Sequence, residues 1–262
     1  MNSATTVSRT RTARNARPFL AIAAALTAPF ALAACSDSDV EEGGTTGEPI
    51  AAIEAPDGTS WNETITVSED GLGYILGNPD APLKLTEYAS HTCGACANFA
   101  VTGKPPLKEN YISTGVVSFE QREVFLNPYD VVIAALAQCG PPERMQSLSD
   151  EVWQNLSSVL ENVQANPEAL NATGQLPVEE RFVAIGEVTG LIDFFAARGL
   201  SADQARTCLA DSAKIEAMVD GSSAKAEEVG VTGTPSFTLN GSKVDANQWG
   251  GLEPLLQKAG AR

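Results

Sequence analysis

Apolar and polar positions alternate in two rhythms along this chain. The short apolar stretch from Leu83 to Tyr88, bounded by Pro82, reads as a buried strand that delivers the next residues to a surface turn. A helix is predicted from Cys93 to Val101, with Gly103 and Pro105-Pro106 breaking or kinking it before a continuation to Tyr111. Val116 to Val124 alternates as a second core strand. Asn127-Pro128 marks a helix start, with proline near the first turn, and the Ala-rich run from Val131 to Cys139 continues it. Between Pro141 and Gly230 the apolar positions recur at helical spacing, with turn signals at Asn166-Pro167, Gly174, Gly190 and Gly199. Ser236 to Leu239 is again strand-like, Asn240-Gly241 is a hairpin turn leading to Lys243-Val244, and Gly251 to Lys258 closes the series as a helix.

The first residues follow different rules. Arg9, Arg11, Arg14 and Arg17 precede an almost unbroken apolar run from Phe19 to Ala34, the pattern of an export leader, too short and Ala-rich for a membrane span. It ends in Leu32-Ala33-Ala34-Cys35, which resembles the lipobox of bacterial lipoproteins, where the cysteine thiol is acylated. The alternative is ordinary cleavage after Ala33, leaving Cys35 as a spare thiol. Ser36 after the cysteine favours the outer membrane. Ser36 to Gly58, rich in Asp, Glu, Gly, Thr and Pro, reads as a flexible tether. The expected organisation is therefore a leader at 1–34, a lipidated tether at 35–60, a domain in two parts at 61–139 and 230–262, and a helical insertion at 140–229.

Charge narrows the partners. Of 17 basic residues four lie in the leader, whereas all 33 acidic residues follow it, so the exported part carries a net charge of about −20. That excludes nucleic acid as a natural partner and suits a soluble secreted domain.

The chemistry sits in the cysteines. Cys93-Gly94-Ala95-Cys96 places two thiols one helical turn apart at a helix N-terminus, which stabilises the thiolate of the first. With Cys35 set aside as the lipid carrier, the remaining four cysteines allow three pairings; the tight spacing selects Cys93 with Cys96 and leaves Cys139 with Cys208 as a long-range bond, the alternative being two buried thiols. An oxidising compartment favours both bonds. A zinc site built from four thiols lacks a second tightly spaced pair. His91 is the only histidine, which rules out most Ser-His, Cys-His and poly-His zinc designs, and no metal or cofactor is expected. Trp61, Trp153 and Trp249 read as packing residues.

Glu87-Tyr88-Ala89-Ser90-His91-Thr92-Cys93-Gly94-Ala95-Cys96-Ala97-Asn98-Phe99, Asn127-Pro128-Tyr129-Asp130 and Val231-Thr232-Gly233-Thr234-Pro235-Ser236-Phe237 together resemble the DsbA family of thiol-disulfide oxidoreductases. The resemblance runs from about Gly73 to the end. It implies an α/β protein, a thioredoxin fold with an inserted helical subdomain, catalysing disulfide exchange in the bacterial envelope. In such a protein Cys93 is the exchanging sulfur and Cys96 the buried resolving one, and a second disulfide, Cys139–Cys208, is structural. Glu87, six residues before Cys93, is implied as a buried acid that relays a proton for Cys96; the bland alternative is a partly exposed strand charge. A cis peptide at Thr234-Pro235 is implied beside Cys93, turning the Thr234 backbone toward an extended client. His91 joins this client-binding set, placed to offer positive charge to the thiolate, unless it is simply a loop side chain.

Implied partners are exported proteins with cysteines, a DsbB-like or DsbD-like membrane redox protein, and the membrane itself through lipid on Cys35. A monomer is expected, facing the periplasm. The chain departs from the family's best-known oxidants, which carry Pro-His where Gly94-Ala95 stands here. A Cys93 pKa nearer thioredoxin's value of about 7 than DsbA's of about 3.5 follows.

Overall fold

The computed structural model describes residues 47–262. The leader, and with it the lipidation expected at Cys35, lies outside the described residues. Six strands form one mixed sheet: β1 (Ile65–Val67), β2 (Gly73–Leu76), β3 (Leu83–Ala89), β4 (Val117–Glu123), β5 (Ser236–Leu239) and β6 (Ser242–Val244), in spatial order β1-β2-β4-β3-β5-β6. Only β3 and β4 run parallel; every other pairing is antiparallel. The central strand β3 is buried at all positions but Lys84, as a strand covered on both faces must be.

The helices are α1 (Gly94–Thr102), α2 (Lys104–Leu107), α3 (Pro128–Ala137), α4 (Met145–Gln154), α5 (Leu156–Gln164), α6 (Pro167–Thr173), α7 (Val178–Val188), α8 (Leu191–Ala196), α9 (Ala202–Ala210), α10 (Ser212–Val229) and α11 (Trp249–Lys258). The kink expected after α1 falls at Gly103, and the two prolines sit in the first turn of α2, where their missing N–H groups forfeit no helical bond. A π-helical turn at Lys108–Ile112 completes this segment. Asn127 caps α3 by accepting the Asp130 N–H at 2.8 Å.

Two large apolar cores result among the described residues, beside a smaller one around Cys96 and Trp153. One lies between the sheet and α1, α2 and α11, around Phe99, Phe119, Phe237 and Leu252. The other lies among α3 and the inserted helices, around Ile133, Leu136, Ile185, Leu191 and Phe195. Helix α3 closes the insertion against the rest of the protein, and the Cys139–Cys208 disulfide fastens the chain just after α3 to α9 across 69 residues of sequence.

Two features differ from the sequence reading. Strands β1 and β2 were not anticipated: three and four residues are too few for alternation to show, and pairing is what holds them extended, β2 against β4 and β1 against β2. The described end of the expected tether also does not hang free. Ile50 N–H donates to Gly260 O at 2.9 Å, Ile53 N–H to Thr114 O at 2.8 Å, and Trp61 Nε1–H to Ile53 O at 2.7 Å. Ile50 and Ala55 pack on the sheet core. An average composition dominated by polar residues hides these few apolar anchors. Gly115, at φ +70°, lies so close to the Trp61 indole that a side chain there would collide with it.

Candidate active site

Strand β3 ends at Ala89, and a turn through Ser90, His91 and Thr92 brings Cys93 to the N-cap of α1, where its Sγ accepts the Cys96 N–H at 3.4 Å. Both cysteines are free thiols, Cys93 partly exposed and Cys96 fully buried. From the opposite side comes the loop before β5, with a cis peptide between Thr234 and Pro235 and the Thr234 carbonyl 3.3 Å from Cys93 Sγ. The antiparallel pairing of β5 with β3, Tyr88 opposite Ser236, fixes this approach.

The Cys93 thiol is held down to about 5, first by the hydrogen bond from the Cys96 thiol and further by Thr234 and by the backbone amides of Cys96 and Ala95, against the opposing effect of partial burial. This lies in the middle of the interval expected from sequence rather than at its upper end, because these donors act whatever residues stand between the cysteines. The Cys96 thiol is pushed far up, first by its bond to Cys93, then by burial and by the charge of Glu87. The two sulfurs are thus made unequal.

Beneath them lies Glu87. It is 1% exposed, and both carboxylate oxygens lack a hydrogen-bond partner among the described residues. Burial pushes its pKa up to about 8, with Lys104 the main influence pulling it back and Asp150, Cys93 and Glu123 adding to the rise. Its neighbour across the parallel pairing is Gln121.

His91 has a different place from the one expected. It is fully buried, its Nε2 2.9 Å from Ser149 Oγ and its Nδ1 3.2 Å from Glu123 Oε2, close enough for an ion pair but poorly aligned for a hydrogen bond. Its ring stacks on Trp153 at 5.1 Å. A side chain so enclosed cannot touch a client, and the assignment of His91 to the client-binding set is corrected to a packing role behind the turn. Burial disfavours its charge, but Glu123 outweighs burial and raises the pKa above 6.5.

Three contributors escaped the sequence reading. Asp130, buried at the start of α3, accepts from Thr92 N at 2.9 Å, Leu126 N at 2.9 Å and the hydroxyls of Ser90 and Thr92, so it fixes the turn that presents Cys93. The Asn-Pro-Tyr-Asp helix start held that signal. Trp153 of α4 donates to Ser90 O at 3.1 Å and packs with Cys96, Ala97 and Ala100, which ties the insertion to the dithiol. Lys104 is 4% exposed and reaches Asp150 Oδ1 at 2.6 Å. Nothing in the sequence marks this lysine as buried.

An exposed low-pKa sulfur beside a buried reluctant one can exchange a disulfide with an outside thiol while the second sulfur stands ready to expel it. Fold and dithiol together define a thiol-disulfide oxidoreductase. Residues 69–258 match the family model described as Thioredoxin, and the chain belongs to that family. Over 206 residues it is 23% identical to a Rickettsia bellii protein provisionally named protein-disulfide oxidoreductase, an alignment that takes in 79% of this chain and 71% of that one. A Rickettsia typhi protein with the same provisional name is 24% identical over 187 residues, 71% of this chain and 62% of its own.

Among solved structures, a protein-disulfide isomerase from Novosphingobium aromaticivorans superposes with TM-score 0.66 and 27% identity over 70% of this chain and 95% of its own. Wolbachia pipientis alpha-DsbA1 shares the fold, with TM-score 0.58 and 22% identity over 77% of this chain and 96% of its own. The chain is a thiol-disulfide oxidoreductase of that family.

Proposed function

We propose that this protein introduces disulfides into exported proteins of the bacterial envelope. The observation that carries the direction is the Cys93 thiol held at about 5: a stable thiolate is a good leaving group and favours the reduced enzyme, so the disulfide form gives up its bond readily. A client thiolate attacks Cys93 Sγ of the Cys93–Cys96 disulfide, and the electron pair of the broken bond goes to Cys96, which takes a proton from Glu87. A second thiolate of the same client then attacks the client sulfur bonded to Cys93, which forms the client's disulfide and releases Cys93 as thiolate. Client thiols are oxidised and the enzyme is reduced by two electrons.

Thr234 and Pro235 support recognition by the client's main chain, since an extended segment beside them needs no particular side chains. A DsbB-like membrane protein would reoxidise the dithiol, whereas a DsbD-like partner would mark a reductant. The lipobox-like Leu32-Ala33-Ala34-Cys35 supports a periplasm-facing protein anchored by lipid on Cys35, with Ser36 favouring the outer membrane. Among the described residues no helix is long and apolar enough to cross a membrane. We take the protein as a monomer.

The isomerase name of the Novosphingobium neighbour favours reshuffling as the competing reading. Equilibrating the dithiol with glutathione separates them, together with refolding assays. A potential well above thioredoxin's and fast oxidation of a reduced client support the proposal. A thioredoxin-like potential, or activity only on scrambled disulfides, overturns it.

A further inference from the structure

The polar cluster behind the dithiol contains a cation that makes no direct contact with the buried acid. Glu87 on β3 and Gln121 on β4 are register partners, so their side chains share one face of the sheet. Lys104, at the start of α2, sends Nζ to the same region, over the rings of Phe119 and Trp153 at 5.1 and 4.9 Å. The Gln121 amide oxygen accepts from it at 3.3 Å, but its short contact, 2.6 Å, is to Asp150 on α4. Glu87, one residue across the ladder, is left with both oxygens unpartnered among the described residues. Asp150 is partly exposed and with Lys104 lines an open cleft of about 490 Å3.

We propose that Asp150 is a positioning residue for disulfide exchange: by holding Lys104 at the cleft it keeps that cation off Glu87 and leaves Glu87 free to trade a proton with Cys96. This rests on the reading of Glu87 as the acid that serves Cys96. An ammonium in direct contact would fix Glu87 as a carboxylate, which could accept the Cys96 proton but not return it. No cation at all would fix it as the neutral acid. The charged and titratable groups that bear on Glu87 are Cys93 and Cys96 from α1, Lys104 from α2, Asp150 from α4, and Glu123 from β4, the last paired with His91. Of these, only Lys104 and Asp150 are linked to each other and open to the cleft.

In the resolving direction Glu87 takes the proton of the Cys96 thiol, and Cys96 attacks Cys93 Sγ of a mixed disulfide. The partner leaves as thiolate, and Glu87 passes the proton on to water. The experiment uses the full protein carrying glutathione on Cys93 and follows glutathione release against pH, with the Glu87 carboxyl carbon observed in parallel by NMR. Asp150→Asn removes a negative charge and frees Lys104 to approach Glu87, so the midpoint falls by about one pH unit. Lys104→Met removes the cation, so the midpoint rises by a similar amount. Lys104→Arg restores it toward the original. Asp150 is partly exposed and Asn keeps its shape, so its variant keeps the test intact should Lys104→Met fold poorly.

Opposite shifts are the signature that a merely structural role does not produce. If Glu87→Gln abolishes the inflection but Asp150→Asn leaves the midpoint unmoved or raises it, the role given to Asp150 is overturned while Glu87 keeps its own. If Glu87→Gln leaves the profile unchanged, the proton role of Glu87 fails, and this proposal with it.

Discussion

Cys93 and Thr234 are 141 residues apart in sequence, yet the thiol of one donates to the carbonyl of the other at 3.3 Å. The contact sets the Cys93 sulfur beside main chain from a distant loop, which supports the proposed docking of a client backbone there. Of the two sulfurs Cys93 is the one that meets solvent, since Cys96 is buried.

The reduced enzyme should react with iodoacetamide as a thiolate with a midpoint near pH 5, measured by alkylation rate or ultraviolet absorbance. The sign is that of a depressed pKa. The contribution of Cys93 to stability of the reduced form is complete above its ordinary 9.0 and is lost as pH falls to about 5. The gap in urea midpoint between the reduced protein and Cys93→Ala therefore narrows on acidification. A midpoint near 8 or 9 would contradict the unequal pair.

Cys93→Ala should reduce catalysed refolding of a reduced, scrambled client to the uncatalysed rate. Cys96→Ala should instead accumulate a mixed disulfide with the client, because nothing remains to expel it. Non-reducing electrophoresis distinguishes the two, and a trapped adduct on Cys96 in Cys93→Ala would reverse the assignment.

Replacing both Cys139 and Cys208 by Ser should lower the unfolding free energy by about 4 kcal/mol, the loop-entropy value for a closure of 69 residues. The dithiol lies elsewhere, so the Cys93 titration should be unchanged. Urea denaturation of the oxidised protein against the variant checks the first part, and the alkylation profile the second.

His91 offers a clean signal because it is the only histidine. Its imidazole resonances should titrate above 6.5, since the Glu123 carboxylate outweighs burial. A raised pKa gives stability that is complete below pH 6.5 and is lost as pH rises through the higher folded value. The double variant His91→Phe, Glu123→Leu, which replaces the pair by apolar groups, should lack that alkaline loss. A midpoint below 6.5 in NMR would mean that desolvation wins.

Much of the frame was legible beforehand because it depends on local chemistry. Asn127 caps α3 as a side-chain acceptor must, the prolines after Gly103 break the helix where the ring forbids continuation, and Asn240-Gly241 turns β5 into β6. The short strands β1 and β2 were not legible, because three or four residues gain their extended form only from the partner they pair with. His91 was misplaced for a related reason: its two neighbours in the turn, Ser90 and Thr92, say nothing of Glu123, Ser149 and Trp153, which arrive from β4 and α4 and enclose it.

The sequence by itself determined the strands and helices from β3 onward and the dithiol at a helix start, because spacing and backbone preference act over a few residues; the proline beside the dithiol was implied only by the family resemblance. The tertiary structure alone decided how far the two sulfurs differ, that Glu87 lies buried without a hydrogen-bond partner among the described residues, and that Lys104 answers to Asp150 instead. Those properties come from desolvation and from charges a few ångströms away on other elements, and distance through space is not written in distance along the chain.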